Sequence, residues 1–214
     1  MNSFMLMTFT TVFTAYHNHG VWQEQLGIRF VHFPFAVDAD LFKHYHEPKQ
    51  YDLGFSGSLY TAWTDIRARI RKRLFRPGFI QRPHYRGWRV YWGEWETSGT
   101  RTGKGYARLI NSSWIWLSTT SAIDLAGARF YETMASHSLL FCNHSPVYEG
   151  LFEEGTHCVM FENDLSDFDD KLFWYLKHHD EREAIVKRGY QHVCENHTWD
   201  KRVEQFTKTV EEIL

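Results

Sequence analysis

Two carboxylates and a glycine, Asp124, Gly127 and Glu132, are spaced so that a helix over 128–136 would bring them to one end. Asp124 then sits in the loop leaving a strand, Gly127 lets the backbone approach a ligand closely, and Glu132 falls in the helix's first turns. A helix start presents free N–H groups and the positive end of the helix dipole, which suit an anion such as a phosphate. An ionised carboxylate accepts both hydrogen bonds of a vicinal diol, each stronger than a neutral pair. The run therefore suits a ligand carrying both phosphate and adjacent hydroxyls. Taken alone, the same residues also fit a loop-capping acid, a turn glycine and a solvated helix position.

The elements that must position this run alternate between strand-like and helix-like segments, the pattern of a parallel sheet with helices on its faces. Strands are predicted over 51–55, 89–92, 114–118, 139–142 and 157–161, and helices over 65–76, 106–111, 128–136 and 180–194. In the first helix Ile66, Ile70 and Leu74 form one stripe, with Thr64 as N-cap and arginines opposite. Ser166 to Asp169 has the form of a capping box ahead of a helix burying Phe168, Leu172 and Leu176. A closing helix capped by Thr198 carries Trp199, Val203, Phe206, Val210 and Ile213 at spacings of four and three. The fold class is α/β, a Rossmann-like doubly wound parallel sheet of about six strands. Ligand is expected at the carboxyl ends of the strands.

Composition narrows the rest. The 214 residues are 43% hydrophobic and 23% charged, enough for a buried core in one domain. The net charge of −2 provides no global field toward nucleic acid or an anionic membrane. Nine basic residues (Arg67, Arg69, Arg71, Lys72, Arg73, Arg76, Arg82, Arg86 and Arg89) interleave with Phe75, Phe79, Tyr85 and Trp88, a mixture that could stack on single strands. The preferred reading is a solvated helix face and a basic cleft wall, with no nucleic acid as partner. Cys142, Cys158 and Cys194 are too scattered for a disulfide framework or a CxxC metal site, which fits a reducing, cytoplasmic setting. Neither His17-Asn18-His19 nor His178-His179 has a third ligand at a suitable spacing, so no metal is expected. No stretch reaches the roughly 18 apolar residues of a membrane span.

The run over 124–135 resembles the E-x-x-G-x4-E-x-M-A signature of group 1 (family 4-like) GT-B glycosyltransferases: Gly127, Glu132, Met134 and Ala135 match, and Asp124 stands for the first Glu. The resemblance extends to Phe33-Pro34-Phe35-Ala36-Val37-Asp38, similar to the family's linker between its two halves. Tyr51 to Gly57 resembles the first strand and glycine loop of the second half. Together with Glu149 to Gly155, the turn at Asp180 and the Trp199 helix, the similarity spans about residues 28–214, nearest to the branch of spore-protein glycosyltransferase-like sequences. It implies a donor-binding half, with residues 1–35 a remnant of an acceptor domain, 36–48 a linker, 49–196 the nucleotide-sugar-binding domain, and 197–214 a helix packing back toward the N-terminal part.

The resemblance also implies roles. Glu132 would bind the nucleotide ribose hydroxyls and Asp124 the transferred sugar. Amides around Ala126, Gly127 and Ala128 would hold the distal phosphate, Gly57 would lie against the diphosphate or the interdomain cleft, and Glu149 near the nucleotide. The nucleotide diphosphate sugar is a substrate; no cofactor or metal is required. The family's basic residues after the first glycine loop are absent at Ser58 and nearby, so Arg67, Arg101 or Lys104 would neutralise the diphosphate. His137 stands where the family usually has Gly. The implied reaction is metal-independent sugar transfer to an unknown acceptor, the alternative being a non-catalytic binding module. A partner N-terminal Rossmann domain, or a homo-oligomer, would complete it.

Overall fold

The structure is a computed structural model that describes residues 10–59, 65–75, 88–94, 102–121 and 124–213. In chain order its elements are β1 (Thr11–Thr14), α1 (His19–Leu26), β2 (Arg29–His32), β3 (Tyr51–Gly57), α2 (Asp65–Leu74), β4 (Val90–Glu94), α3 (Gly103–Asn111), β5 (Ser113–Ser118), α4 (Ala128–Ala135), β6 (Leu139–Asn143), a 3-10 turn (Pro146–Tyr148), β7 (Val159–Phe161), α5 (Phe168–Lys177), α6 (His179–Asn196) and α7 (Trp199–Glu211). The main sheet is entirely parallel, ordered β4-β3-β5-β6-β7. It has five strands among the described residues, not six. β1 and β2 pair with each other in a separate parallel ribbon.

Strands covered on both faces are apolar on both faces, and β5 shows how the two layers divide. Ile115 and Leu117 point into one core with Leu53, Phe55, Ile70, Phe141 and Phe168, while Trp116 points into the other with Leu109, Phe130, Tyr131, Met134 and Tyr148. From β3 the chain runs out to β4 on one side and returns to β5 on the other. Where strand order reverses in this way, the connections diverge and leave a crevice at the carboxyl ends.

One helix reading needs correction. The expected capping box before α5 does not form: Asp167 is the N-cap residue but makes no capping bond. Its Oδ1 instead accepts from the Glu162 amide at 2.8 Å and its Oδ2 meets Lys171 Nζ at 2.9 Å, so the carboxylate is engaged elsewhere. In α7, Thr198 does cap, accepting from the Lys201 amide. The apolar stripe of that helix, however, faces outward: Trp199, Val203 and Phe206 are 50%, 62% and 46% exposed, whereas Arg202 and Thr209 are buried. Hydrogen bonding turns the helix, because backbone carbonyls of Pro34 and Phe35 take the Arg202 guanidinium. Phe206 keeps ring contacts with Phe13 and Phe33. The proposed cap Thr64 lies outside the described residues.

The helices α4 and α6 approach closely over Gly189. A Cβ there would stand 2.6 Å from the His157 carbonyl oxygen and 3.3 Å from Met134 Sδ. A backbone oxygen cannot rotate away, so Gly189→Ala is expected to destabilise the fold by about 2 kcal/mol despite the better helix propensity of alanine. A urea midpoint equal to or above that of the parent would refute this packing.

Candidate functional site

The crevice between β3 and β5 is a cleft of about 310 Å³ lined by Phe35, Arg67, Ser118, Thr119, Ser121, Leu125, Gly127, Ala128, Arg129, Phe130 and Glu132. The carboxyl end of β5, with Ser118 and Thr119, forms part of its lining, and one wall is the start of α4. Gly127 is the N-cap of that helix, with φ −75° and ψ 174°. Having no side chain, it supplies no side-chain cap; its carbonyl accepts from the Phe130 amide at 3.2 Å, and the N–H groups before Phe130 are left for another partner.

Two arginines converge on the cleft from different helices. Arg67, on α2, is anchored by Nε to Thr119 Oγ1 at 2.6 Å and by its terminal nitrogens to the carbonyls of Ser58, Thr119 and Thr120. Burial, followed by the nearby Arg129 charge, brings its pKa down to about 10. Arg129, in the first turn of α4, donates from Nε to the Tyr106 hydroxyl at 3.0 Å. The same hydroxyl accepts from Ser56 Oγ at 3.1 Å. Among the described residues no protein acceptor meets the two terminal nitrogens of Arg129. Gly57 makes room for the pair: a Cβ there would lie 3.0 Å from Arg129 Nη1 and 3.6 Å from Arg67 Nη1.

The acidic side of the cleft is Glu132, three residues after Arg129 and so on the same helix face. Burial raises its carboxyl pKa, and the Arg129 charge partly opposes the rise. Ser118, at the end of β5, is 2% exposed and its hydroxyl has no partner among the described residues. An unpartnered buried hydroxyl is uncommon and here borders the cleft.

Of the residues singled out by sequence, Arg67, Gly127, Ala128 and Glu132 line the cleft and Gly57 abuts it. Ala126 is buried in the core. Asp124 is exposed just outside, in a left-handed conformation with φ 45°. Glu149 is exposed at the end of the 3-10 turn. Lys104 is exposed on α3, its ammonium 5.8 Å from the centre of the Tyr45 ring, and is not among the cleft residues. Arg101 lies outside the described residues. Sequence reasoning missed Arg129, Ser118 and Tyr106; the i, i+3 spacing of Arg129 to Glu132 was the available signal for the first.

Other candidates are occupied elsewhere. Arg69 donates to the Asn163 and Asp164 carbonyls, Arg73 pairs with Asp169, and Arg89 pairs with Asp52. Residues 76–87 of the basic and aromatic run lie outside the described residues. Among the described residues no group of three or more His, Cys, Asp or Glu is placed to hold a metal, and no helix is long and apolar enough to cross a membrane.

The raised pKa of Glu132 has a stability consequence. The native state takes up this proton before the unfolded chain does, so the penalty for burying the charge is present near neutral pH and is relieved on acidification through the carboxylate range. Glu132→Gln is therefore expected to raise the melting temperature near pH 7, with the gain shrinking toward about pH 4. A pH-independent difference would show that the buried charge is not its source.

Comparison with known proteins follows the same geometry. Sucrose-phosphate synthase from Thermosynechococcus elongatus superimposes with a TM-score of 0.70 at 10% identity, covering 99% of this chain and 60% of the other. Anabaena HepE, solved in complex with UDP-glucose, gives 0.68 at 14% identity over 95% of this chain and 64% of that one. The C-terminal domain of the group 1 glycosyl transferase LpcC from Francisella tularensis gives 0.52 at 12% identity, with 76% of this chain covering 99% of that domain. The chain thus spans 60% and 64% of the first two structures. No curated protein sequence matches it. Matched by the family's sequence pattern over residues 61–208, the chain belongs to the Glycosyl transferase-like family and has the Rossmann-like α/β fold of group 1 GT-B glycosyltransferases.

Proposed function

We propose that the cleft binds a nucleoside diphosphate sugar and that the chain supplies the donor half of a glycosyl transfer. The observation that carries this is the pairing of two half-buried guanidinium groups, Arg67 and Arg129, beside the start of α4, which has no side-chain cap, and the Glu132 carboxylate. Like charges held together at a site partly shut off from water repel each other, and a ligand with two or more negative charges relieves that repulsion. A diphosphate meets this requirement, and arginine suits bidentate contact with it. HepE, of the same fold, is solved in complex with UDP-glucose, which supports the reading.

In this reading Arg129 directs its free terminal nitrogens at the diphosphate and Arg67 holds the floor beneath it. The amides over 126–128 receive the distal phosphate, and Gly57 keeps the approach open. Glu132 accepts from the ribose hydroxyls, Asp124 at the mouth accepts from the transferred sugar, and Glu149 lies toward the nucleotide. Of the cations expected from the sequence, Arg67 rather than Lys104 borders the bound diphosphate, with Arg129 making the direct contact. As the glycosidic bond to the diphosphate breaks, charge accumulates on the leaving oxygen. Fixed guanidinium groups and helix amides stabilise it without reorganising, so the rate gain comes mainly from positioning and electrostatics.

A second reading has its own observation. The outward apolar residues of α7, together with Ile213 at 38% exposure, form a face that a further domain or a second copy would cover. The chain would then bind the nucleotide sugar and leave transfer to the assembled protein.

UDP or GDP, or their sugar conjugates, are expected to raise the melting temperature, and Glu132→Ala to abolish the shift. The absence of a shift with any nucleoside diphosphate would sink the donor-site proposal. Hydrolysis of UDP-glucose or GDP-mannose separates the two readings: measurable turnover by the chain alone favours the enzyme, whereas binding with no turnover favours the module.

A further inference from the structure

Behind the cleft lies a second buried guanidinium site that the donor reading does not use. Arg202, on α7, is 5% exposed. Its Nε donates to the Pro34 carbonyl at 2.8 Å, Nη1 to the Asn196 carbonyl at 3.1 Å, and Nη2 to the Phe35 carbonyl at 3.3 Å and to His197 Nδ1 at 2.6 Å. No carboxylate pairs with it among the described residues. Burying a charge against neutral acceptors alone is expensive, and an apolar side chain would fill the space at lower cost. What the guanidinium adds is geometry: a rigid planar fork that fixes several acceptors at once.

Those acceptors converge on the residues entering the cleft. The ring of Phe35 is a cleft wall, and the carbonyls of Pro34 and Phe35 are both held by Arg202. Two residues on, the same strand of chain is clamped again. The Val37 amide donates to the His197 carbonyl at 2.9 Å and the Trp199 amide to the Val37 carbonyl at 3.1 Å. His197 also packs its ring 5.1 Å from that of Tyr131, the neighbour of Glu132 on the donor-site helix. Arginine can only donate, so His197 Nδ1 is the acceptor in this contact. Burial, and then the Arg202 charge, push the His197 pKa to about 3, which keeps this acceptor available across the neutral range.

We infer that Arg202 is a positioning residue for the donor cleft, fixing the Pro34–Phe35 backbone so that Phe35 packs against a nucleoside diphosphate bound opposite the start of α4. The inference rests on the donor-site proposal. It predicts an effect on binding that is transmitted through Phe35 and depends on the shape of the guanidinium, not on its charge.

The test is titration calorimetry of the full chain with UDP and GDP. Arg202→Lys keeps the charge but loses the fork; it is expected to lower the melting temperature through the carbonyls it leaves unpaired and, at a temperature where the variant is still folded, to weaken binding about tenfold. Phe35→Ala should weaken binding to a similar degree, and the double variant should bind no worse than Phe35→Ala alone. His197→Gln, which displaces one acceptor and leaves the charge, serves if Arg202→Lys does not fold, with the same non-additivity toward Phe35→Ala. Parent-like binding by Arg202→Lys, or additive losses in the double variant, would overturn the positioning role and leave the donor site standing. If the parent chain binds neither nucleotide, both ideas fall together.

Discussion

An arginine taken out of water cannot give up its proton, so it must be surrounded by acceptors. Arg67 draws its acceptors from the ends of the two strands that flank the reversal in strand order. The arrangement in the cleft depends on that requirement. The carbonyls of Ser58, Thr119 and Thr120 point inward because a guanidinium is there to receive them, which sets the direction in which the chain leaves β3 and β5. A side chain at Gly57 would crowd the second guanidinium, since a Cβ there would lie 3.0 Å from Arg129 Nη1. With Arg67 largely satisfied by protein, the positive charge left to face outward belongs to Arg129, steadied at a single nitrogen by the Tyr106 hydroxyl.

The opposite end of the sheet shows what a buried cation looks like when it is purely structural. Lys49 Nζ donates to the carbonyls of Asn111, Ser113 and His137, at 2.7, 2.9 and 2.9 Å. An ammonium has three N–H groups, and all three are used. Burial brings its pKa down to about 8. Lys49 thus ties together the approaches to β5 and β6 and has nothing left for a ligand. Arg129 differs in that its anchoring bond leaves the terminal nitrogens without protein acceptors. Unused donor capacity, more than burial or charge, separates the cleft end of this sheet from its closed end.

That distinction also explains what was legible in the sequence. Apolar runs rich in β-branched and aromatic residues marked the strands, and Gly127 to Glu132 marked a helix start facing a ligand. Arg67 was visible as one of three candidate phosphate cations but not as the one to choose, because the feature that selects it is the direction of three carbonyls, two of them distant in sequence. Arg129 was concealed for a related reason: inside a signature it occupies a position that reads as a variable one, and its meaning comes from Tyr106 and Ser56 on other elements. Lys104 and Arg67 looked interchangeable as phosphate ligands by residue type. Only the packing of α3 against Tyr45 distinguishes them. The family's glycine at His137 is likewise understood once the backbone is seen, since His137 adopts φ 53° and stacks on His44 at 4.1 Å.

The closing helix carries the argument furthest from sequence pattern. A stripe of Trp199, Val203, Phe206 and Ile213 ordinarily marks the buried side of a helix, because apolar area removed from water is the main driving force for packing. Here the buried side holds Arg202, Gln205 and Thr209. Gln205 Nε2 donates to the His32 carbonyl at 3.1 Å, so the helix is fastened through polar groups to the backbone of β2 and the residues after it. Pro34 has no N–H, and the stretch it begins joins no strand of either sheet, so the carbonyls of Pro34 and Phe35 are free to take partners from α7. Leaving those carbonyls unpaired in a buried site would cost more than leaving half of an apolar stripe in water, at about 1 to 3 kcal/mol for each orphaned group. Hydrogen bonding therefore fixes the rotation of α7. The apolar face it leaves outward is a consequence of holding residues 34–37 against the cleft.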